Sequence, residues 1–206
     1  MQDPSHDEIE GLLRHIVLPF YHIKREIPLP VGERRWENDA EHSWSVAFLA
    51  CALAPLIDET LDVGKVAQLA IAHDIVEVFA GDVSVFGTDD ELGSKAEREA
   101  AAAEKISQDF SHFPWIVSTL HAYEAKESNE AKFVYAIDKY ITVMYDYIDG
   151  GKYLREAKYT QAIYHKTLAS HREKAQTHQE VGKYYDEVRA LLDAHPEYFH
   201  QESTDS

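Results

Sequence analysis

A histidine and an aspartate, His73 and Asp74, stand side by side in a stretch whose other residues are mostly apolar. Glu77 follows four residues after the histidine, so helical spacing places all three side chains on neighbouring parts of one helix surface. Three titratable groups on the buried side of a helix are costly unless a cation or a hydrogen-bond network satisfies them. An exposed cluster at a helix end would need no cation, so this segment alone does not decide between the two.

Two distant residues favour a metal site. His42 begins an apolar helical stretch, and Asp138 interrupts an apolar stripe formed by Phe133, Val134, Ile137, Ile141 and Met144. An acid beside such a stripe requires a partner. Two imidazoles and two carboxylates from three helices suit one divalent cation, Mn, Co, Fe, Ni, Zn or Mg, with positions left for water and substrate. We therefore predict one metal ion held by His42, His73, Asp74 and Asp138.

The elements that must position these residues are helices, because apolar residues recur at helical spacing and Gly and Pro occur at few points. The predicted class is all-α, a helical bundle. In chain order, the predicted helices run from a capping box at Ser5 and Glu8 to about Tyr21, from a cap at Asp39 to Pro55, from about Asp62 to Phe79, from a capping box at Ser94 and Glu97 to about Phe110, from Pro114 onward, and from about Glu130 to Tyr147.

The length of 206 residues predicts a single domain, 1–206. Its core is expected at about 6–150, followed by a helical C-terminal extension at about 151–195 and a flexible tail at 196–206. Some polar residues are expected mainly to face solvent. They are Lys139, which is the weakest candidate for holding an anionic substrate because it should point away from the face of its neighbour Asp138, and the histidines of the extension, His165, His171, His178, His195 and His200.

Composition excludes some partners. The formal net charge of -17 argues against binding to a nucleic-acid polymer, because such polymers attract clustered Lys and Arg. No stretch of about eighteen apolar residues predicts a membrane span. Cys51 is the only cysteine, so no intrachain disulfide can form, and a reducing compartment fits. We expect a cytoplasmic protein whose small anionic substrate is held by a metal or by a few local cations.

The order of these residues resembles the HD-domain superfamily of metal-dependent phosphohydrolases, whose pattern is H, then HD, then a distant D. The likeness is closer to the YfbR-like 5'-deoxynucleotidase branch and covers the chain from about Lys24 to Tyr140. The segments that carry it are Arg35-Trp36-Glu37-Asn38-Asp39-Ala40-Glu41-His42-Ser43, His73-Asp74-Ile75-Val76-Glu77 with Gly81-Asp82, Lys95-Ala96-Glu97-Arg98-Glu99, Glu130-Ala131-Lys132-Phe133-Val134 and Ala136-Ile137-Asp138-Lys139.

This resemblance implies a mononuclear site that hydrolyses nucleoside 5'-monophosphates, often with a preference for deoxyribonucleotides, in a homodimer. Glu77 and Asp82 match family carboxylates needed for activity, and either is expected to act as general base or acid. Arg35 matches a basic position just before the first ligand. We expect Arg35 and Lys95 to hold the substrate phosphate and Trp36 to border the nucleoside.

Two other functions stay open at this stage. In the first, the chain is another HD enzyme, which hydrolyses a nucleoside triphosphate, a guanosine tetraphosphate or a cyclic nucleotide. Alternatively, it is a non-catalytic helical module that binds a nucleotide. Glu77 and Asp82 argue against the second reading, because a structural metal site needs ligands and no additional carboxylates.

Overall fold

The structure is a computed structural model that describes residues 3–30, 32–81 and 89–201, with only the backbone described for 89–94. Its elements confirm the predicted all-α class, with one small hairpin. The helices are α1 (His6–Leu12), α2 (Leu18–Phe20), α3 (Asp39–Ile57), α4 (Val63–Ala72), α5 (Glu77–Ala80), α6 (Asp89–Asp109), α7 (Pro114–Ala125), α8 (Asn129–Ile148), α9 (Lys152–Glu156), α10 (Gln161–Thr167), α11 (Ala169–Ala175) and α12 (Gln179–Asp193), and the strands are β1 (Lys24–Pro28) and β2 (Trp36–Asn38).

The first predicted helix has the expected start. The Ser5 side chain accepts from the backbone N–H of Glu8, and the Glu8 carboxylate accepts from the backbone N–H of Ser5. A π-helical turn, Leu13–Val17, joins α1 to α2. Strands β1 and β2 then pair antiparallel, and their hairpin leads the chain directly into α3.

The predicted cap of the second helix is wrong by one residue. Asn38, with extended backbone, accepts from the Glu41 backbone N–H at 3.0 Å, so Asn38 caps α3 and Asp39 is its first residue. Asp39 is instead buried, with Oδ1 3.4 Å from a guanidinium nitrogen of Arg25. Pro55 lies inside α3, which ends at Ile57.

The single helix predicted from Asp62 to Phe79 is wrong, because the chain forms two helices there. Asp62 caps the start of α4 as predicted, but α4 ends at Ala72, and α5 begins only at Glu77. In the turn between them the backbone N–H of Glu77 donates to the carbonyl of Asp74 at 2.9 Å. This bond joins residues three apart, as in a 3₁₀ turn, and not four apart as in an α-helix. The HD pair therefore lies at a helix end, where side chains can leave the helical array.

The predicted start of the next helix is also wrong. Ser94 lies within α6, which begins five residues earlier at Asp89. A helix rich in Ala and Glu extends readily beyond the predicted start, because both residue types favour helix.

Helix α8 connects the two parts of the core. Ile137 belongs to one apolar cluster with residues of α3 and α4, and Val143, six residues later, belongs to a second cluster with residues of the C-terminal extension. The extension therefore packs on the helix that carries Asp138. The prediction that His171 faces solvent is consequently wrong, because His171 is buried, with Nδ1 3.3 Å from the Tyr185 hydroxyl.

Helix α3 is the one helix of the described chain that is long and apolar enough to cross a membrane. One face of it packs into the core through Val46, Ala50 and Ala54, which have no exposed surface. The opposite face carries Trp44 and Phe48, each 66% exposed. The composition of α3 therefore reflects a core helix with a second, exposed apolar face.

Candidate metal centre

Three helix segments bring His42, His73 and Asp138 together. His42 lies in the first turn of α3, His73 follows the last residue of α4, and Asp138 lies in the middle of α8. All three are buried, and one potential ligand atom from each lies within 4.8 Å of the others. Residues far apart in the chain thus share one buried point.

The hydrogen bonds of both imidazoles fix which nitrogen is available. The Nδ1 of His42 is 3.2 Å from Oε2 of Glu37, and the Nδ1 of His73 is 2.8 Å from the carbonyl oxygen of Ala70. A ring nitrogen next to an acceptor carries the proton, so each neutral ring keeps its lone pair on Nε2. This is the tautomer of a metal-ligating histidine oriented by a second acceptor.

The donor set fits a cation on two observations. The buried Nε2 of His73 has no partner in hydrogen-bonding geometry among the described residues, although Asp74 lies near it, and this is a costly condition for a buried polar atom. The Nε2 of His42 is 2.9 Å from Oδ1 of Asp138, although a neutral ring with its proton on Nδ1 offers only a lone pair there. A positive charge between the lone pairs and the carboxylate removes both conflicts.

Asp74 lies beside this set. Its Oδ2 is 3.2 Å from Nε2 of His73 and 3.9 Å from Nε2 of His42, and a guanidinium nitrogen of Arg25 donates to it at 2.9 Å. Burial raises the pKa of Asp74, but His73 and Arg25 outweigh burial and hold the pKa below its usual range. The carboxylate is therefore ionised and directed at the two rings.

The other charges of the centre follow the same logic. Burial raises the pKa of Asp138, but Lys139 and His42 hold it well below its usual value. Burial lowers the pKa of His73, yet Asp74 and Asp138 raise it above the usual value. The two carboxylates therefore favour positive charge at this point, as expected of a cation-binding site.

The expectation that Lys139 faces solvent is wrong. Its ammonium forms an ion pair with the carboxylate of Asp138 and lies 5.1 Å from the centre of the Tyr135 ring. The flexible lysine stem lets the side chain turn back across the helix toward the buried acid. Lys139 is consequently part of the centre's charge balance.

Of the two expected catalytic carboxylates, Glu77 is described. It is buried at the first position of α5, and Nζ of Lys95 lies 3.2 Å from its Oε1 and 3.3 Å from Oε1 of Glu99. The predicted Lys95 therefore lies against the predicted Glu77. Asp82 lies outside the described residues.

Comparison with known proteins decides the family. A family model described as HD domain matches residues 21–181, which contain all four predicted ligands. This chain belongs to the HD-domain family. The resemblance predicted from the sequence is confirmed.

Two relatives of this HD-domain chain agree with the assignment. A 5'-deoxynucleotidase of Pasteurella multocida is 28% identical over 137 residues, which cover 59% of this chain and 68% of the relative. The crystal structure of a predicted metal-dependent phosphohydrolase from Magnetospirillum magnetotacticum is 27% identical and covers 95% of both chains with a TM-score of 0.74. A protein of Pyrococcus horikoshii, 20% identical with a TM-score of 0.56 over 94% of this chain and 99% of its own, shares the fold.

The remaining predicted site residues of this HD-domain chain lie at its surface. Arg35 donates from two nitrogens to the two carboxylate oxygens of Glu41, both at 2.7 Å. Trp36 is half-exposed, and its ring meets the ring of Tyr153 edge-on at 6.4 Å. Their proposed contacts with substrate stay predictions.

Sequence reasoning missed two residues that orient the ligands. Glu37 is buried in β2 between exposed Trp36 and half-buried Asn38, and it contacts the His42 ring from outside the centre. Arg25 lies 49 residues before its partner Asp74, and no sequence pattern marks that pair. Glu37 had a weak signal, because a carboxylate five residues before a ligand histidine is near enough to hold its ring.

Proposed function

We propose that this HD-domain protein is a metal-dependent phosphohydrolase that releases phosphate from nucleoside 5'-monophosphates, deoxynucleotides among them. The observation that carries the proposal is the buried meeting of His42, His73 and Asp138, with both Nδ1 atoms engaged elsewhere. The similarity to the Pasteurella protein named as a 5'-deoxynucleotidase supports the substrate class.

In this proposal His42, His73 and Asp138 hold one divalent cation, and Asp74 completes the set from beside them. When bound, such an ion supplies Lewis-acid activation of the phosphoryl group and of water near neutral pH. Glu37 holds the His42 ring in the ligating tautomer, and Arg25 positions Asp74. The imidazole and carboxylate donors leave the choice between Mn, Co, Fe, Ni, Zn and Mg open.

Glu77 is the proposed proton carrier. It follows the HD pair by one tight turn, and its backbone N–H is bonded to the carbonyl of Asp74, so its carboxylate is tied to the position of the ligands. Lys95 contacts Oε1 and thereby fixes the orientation of the carboxylate. A carboxylate oxygen of Glu77 takes a proton from the attacking water or delivers one to the leaving 5'-oxygen. Asp82 stays a second proposed carrier of that proton.

The substrate class is tested by phosphate release from a panel of nucleoside mono-, di- and triphosphates, guanosine tetraphosphate and cyclic nucleotides, with added divalent metal. We expect inorganic phosphate from the 5'-monophosphates. Exclusive release of pyrophosphate or triphosphate, or hydrolysis of cyclic nucleotides alone, contradicts the monophosphatase proposal and favours another HD reaction. Binding without turnover of any nucleotide favours the non-catalytic module.

The role of Glu77 is tested by Glu77→Gln, with Glu99→Gln as the matched control because both carboxylates contact Lys95. We expect kcat to fall about 10²- to 10⁴-fold for Glu77→Gln, the usual loss of a general acid or base. Bound metal should stay unchanged, and Glu99→Gln should keep most activity. Equal small effects of both substitutions contradict a proton-carrying role for Glu77.

The homodimer is part of the proposal, and the exposed face of α3 is its proposed interface. Trp44 and Phe48 stack at a ring distance of 5.4 Å beside a groove of about 1190 Å³ that also includes apolar residues of α1, α2 and α7. A contiguous apolar surface of this kind marks an interaction site. Among the described residues that line the groove, only Arg35 and Glu41 are charged, and they form an ion pair, so two chains of net charge -17 can meet here without direct repulsion.

Light scattering of Trp44→Glu tests this interface. We expect a dimer for the wild type and a monomer for Trp44→Glu, because a carboxylate cannot be buried there without a partner. Leu56→Glu is the matched control, since Leu56 is an exposed residue of α3 that does not line the groove. A monomeric wild type, or dissociation by both substitutions alike, contradicts the interface.

A further inference from the structure

Helix α11 of the C-terminal extension lies antiparallel along α8. At one end, the Thr177 hydroxyl is 3.5 Å from the carbonyl oxygen of Lys132, and the His178 ring meets Phe133 edge-on at 5.0 Å. At the other end, buried His171 lies within the electrostatic reach of Lys139 and Asp138. Both helices advance about 1.5 Å per residue, so a residue midway between these ends lies level with the middle of that α8 segment.

Lys174 occupies this midway position. Its pKa is lowered by desolvation and by the neighbouring ammonium groups of Lys139 and Lys95, whereas Asp138 and Glu99 raise it. Lys174 is therefore within electrostatic range of the Lys139–Asp138 ion pair, in agreement with the level on α8 that the helix spacing gives.

The three lysines differ in their partners. Lys95 contacts Glu77 and Glu99, and Lys139 contacts Asp138. Lys174 is exposed and forms no ion pair with any residue that the structure describes. Its charge is therefore available to a ligand, although the chain has 37 acidic residues to offer.

A line of aromatic contacts connects Lys139 to the metal centre. The ring of Tyr123 lies 5.7 Å from the His73 ring and 6.3 Å from the ring of Tyr135. Lys139 lies 5.1 Å from the centre of the Tyr135 ring, and Lys126 lies 4.8 Å from it. Tyr123 and Tyr135 therefore link Lys139 to the ligand His73, and Tyr135 lies at the level of α8 that Lys174 faces by helix spacing.

We propose that Lys174 binds a non-bridging oxygen of the substrate phosphoryl group, so that the C-terminal extension completes the phosphate subsite of the metal centre. This inference rests on the proposed function for its substrate and adds a specificity-determining residue from outside the HD motif. The Lys174 ammonium donates a charge-assisted hydrogen bond, with Lys139 and Lys95 adding to the local positive field. It holds the phosphate of substrate and product alike.

The test is Lys174→Met, which keeps the aliphatic stem and removes the charge. Lys166→Met is the matched control, because Lys166 is an exposed lysine of neighbouring α10 that forms no ion pair with the described residues. We expect KM for a nucleoside 5'-monophosphate to rise roughly tenfold with little change in kcat, as for one charged hydrogen bond lost from ground and transition states alike. Lys174→Arg should restore most of the affinity.

Calorimetric titration of the metal-loaded proteins with inorganic phosphate gives a readout independent of turnover. We expect phosphate affinity to fall roughly tenfold in Lys174→Met and to be unchanged in Lys166→Met. A wild type that hydrolyses monophosphates, together with unchanged KM and phosphate affinity in Lys174→Met, overturns the role of Lys174 and leaves the proposed function intact. If the wild type hydrolyses no monophosphate, the proposed function fails. In that case, weaker phosphate binding by Lys174→Met than by the wild type still supports the subsite, and equal binding overturns it.

Discussion

Helix α8 carries two buried aspartates, Asp138 and Asp146, which lie eight residues apart and are 3% and 5% exposed. Asp138 meets two imidazoles and an ammonium group, and these hold its pKa well below the usual range despite burial. Asp146 meets mainly the Tyr164 hydroxyl, at 2.6 Å, and burial raises its pKa to about 7.

Burial alone therefore does not make an acid functional. Both aspartates are removed from water to the same degree, but only Asp138 is surrounded by groups that favour its charged form. The carboxyl of Asp146 is largely protonated below neutral pH and joins α8 to the C-terminal extension through Tyr164. The same helix thus carries a metal-ligand candidate at its centre and a structural acid two turns later.

Replacing each acid by its amide gives the largest expected contrast. Asp138→Asn should abolish metal binding and reduce phosphate release to background, because a neutral amide cannot balance the cation. Asp146→Asn should keep metal and activity within about twofold, since the amide has the shape of the protonated acid it replaces. Metal analysis and a phosphate-release assay check both. Equal losses in the two variants would remove the functional distinction between them.

A smaller effect is expected from Glu37, which orients the His42 ring. Glu37→Gln should weaken metal affinity about 10- to 100-fold, the usual consequence of losing a partner behind a ligand. Glu41→Gln is the control, because Glu41 lies next to His42 in the chain but contacts Arg35 and the backbone of Asn38. Calorimetry with Mn²⁺ measures both affinities. A Glu37→Gln protein that binds metal as tightly as Glu41→Gln would contradict the orienting role.

The raised pKa of Asp146 predicts a pH dependence of stability. In the unfolded chain an aspartate loses its proton near pH 4, whereas folded Asp146 keeps it to about pH 7. The folded state binds more protons in this window, so the free energy of unfolding should fall as pH rises through it, by up to about 4 kcal/mol. Urea unfolding of metal-stripped wild type and Asp146→Asn at pH 5 and pH 7.5 isolates this contribution. An equal fall in the free energy of unfolding of the two proteins between pH 5 and pH 7.5 would show that Asp146 does not cause the pH dependence.

The sequence predicted the centre better than its surroundings. Asp138 stood out because an acid in an apolar stripe needs a partner, and the HD pair stood out by adjacency. The same rule marks Asp146, which lies among apolar residues of the same helix, but helical spacing does not show which buried acid meets cations. That difference depends on His42, His73 and Tyr164, which only the fold brings to α8.

Local errors in the predicted elements have local causes. Asn38 and Asp39 are both good capping residues, and the pairing of Asn38 in the hairpin decides which one begins the helix. The helix through His73 was predicted to continue because its apolar spacing does, whereas the chain tightens into a turn there. Lys174 had no signal at all, because an exposed lysine in a polar helix is ordinary until its neighbours are known.

The most direct test of the central claim is to add Mn²⁺ or Co²⁺ stepwise to metal-stripped protein and to measure bound metal and phosphate release from a deoxynucleoside 5'-monophosphate together. We predict no release without metal, then activity that rises in proportion to bound ion and levels off at one ion per chain. Full activity in the presence of a chelator, or a plateau reached only at two ions per chain, would contradict a single cation shared by His42, His73 and Asp138.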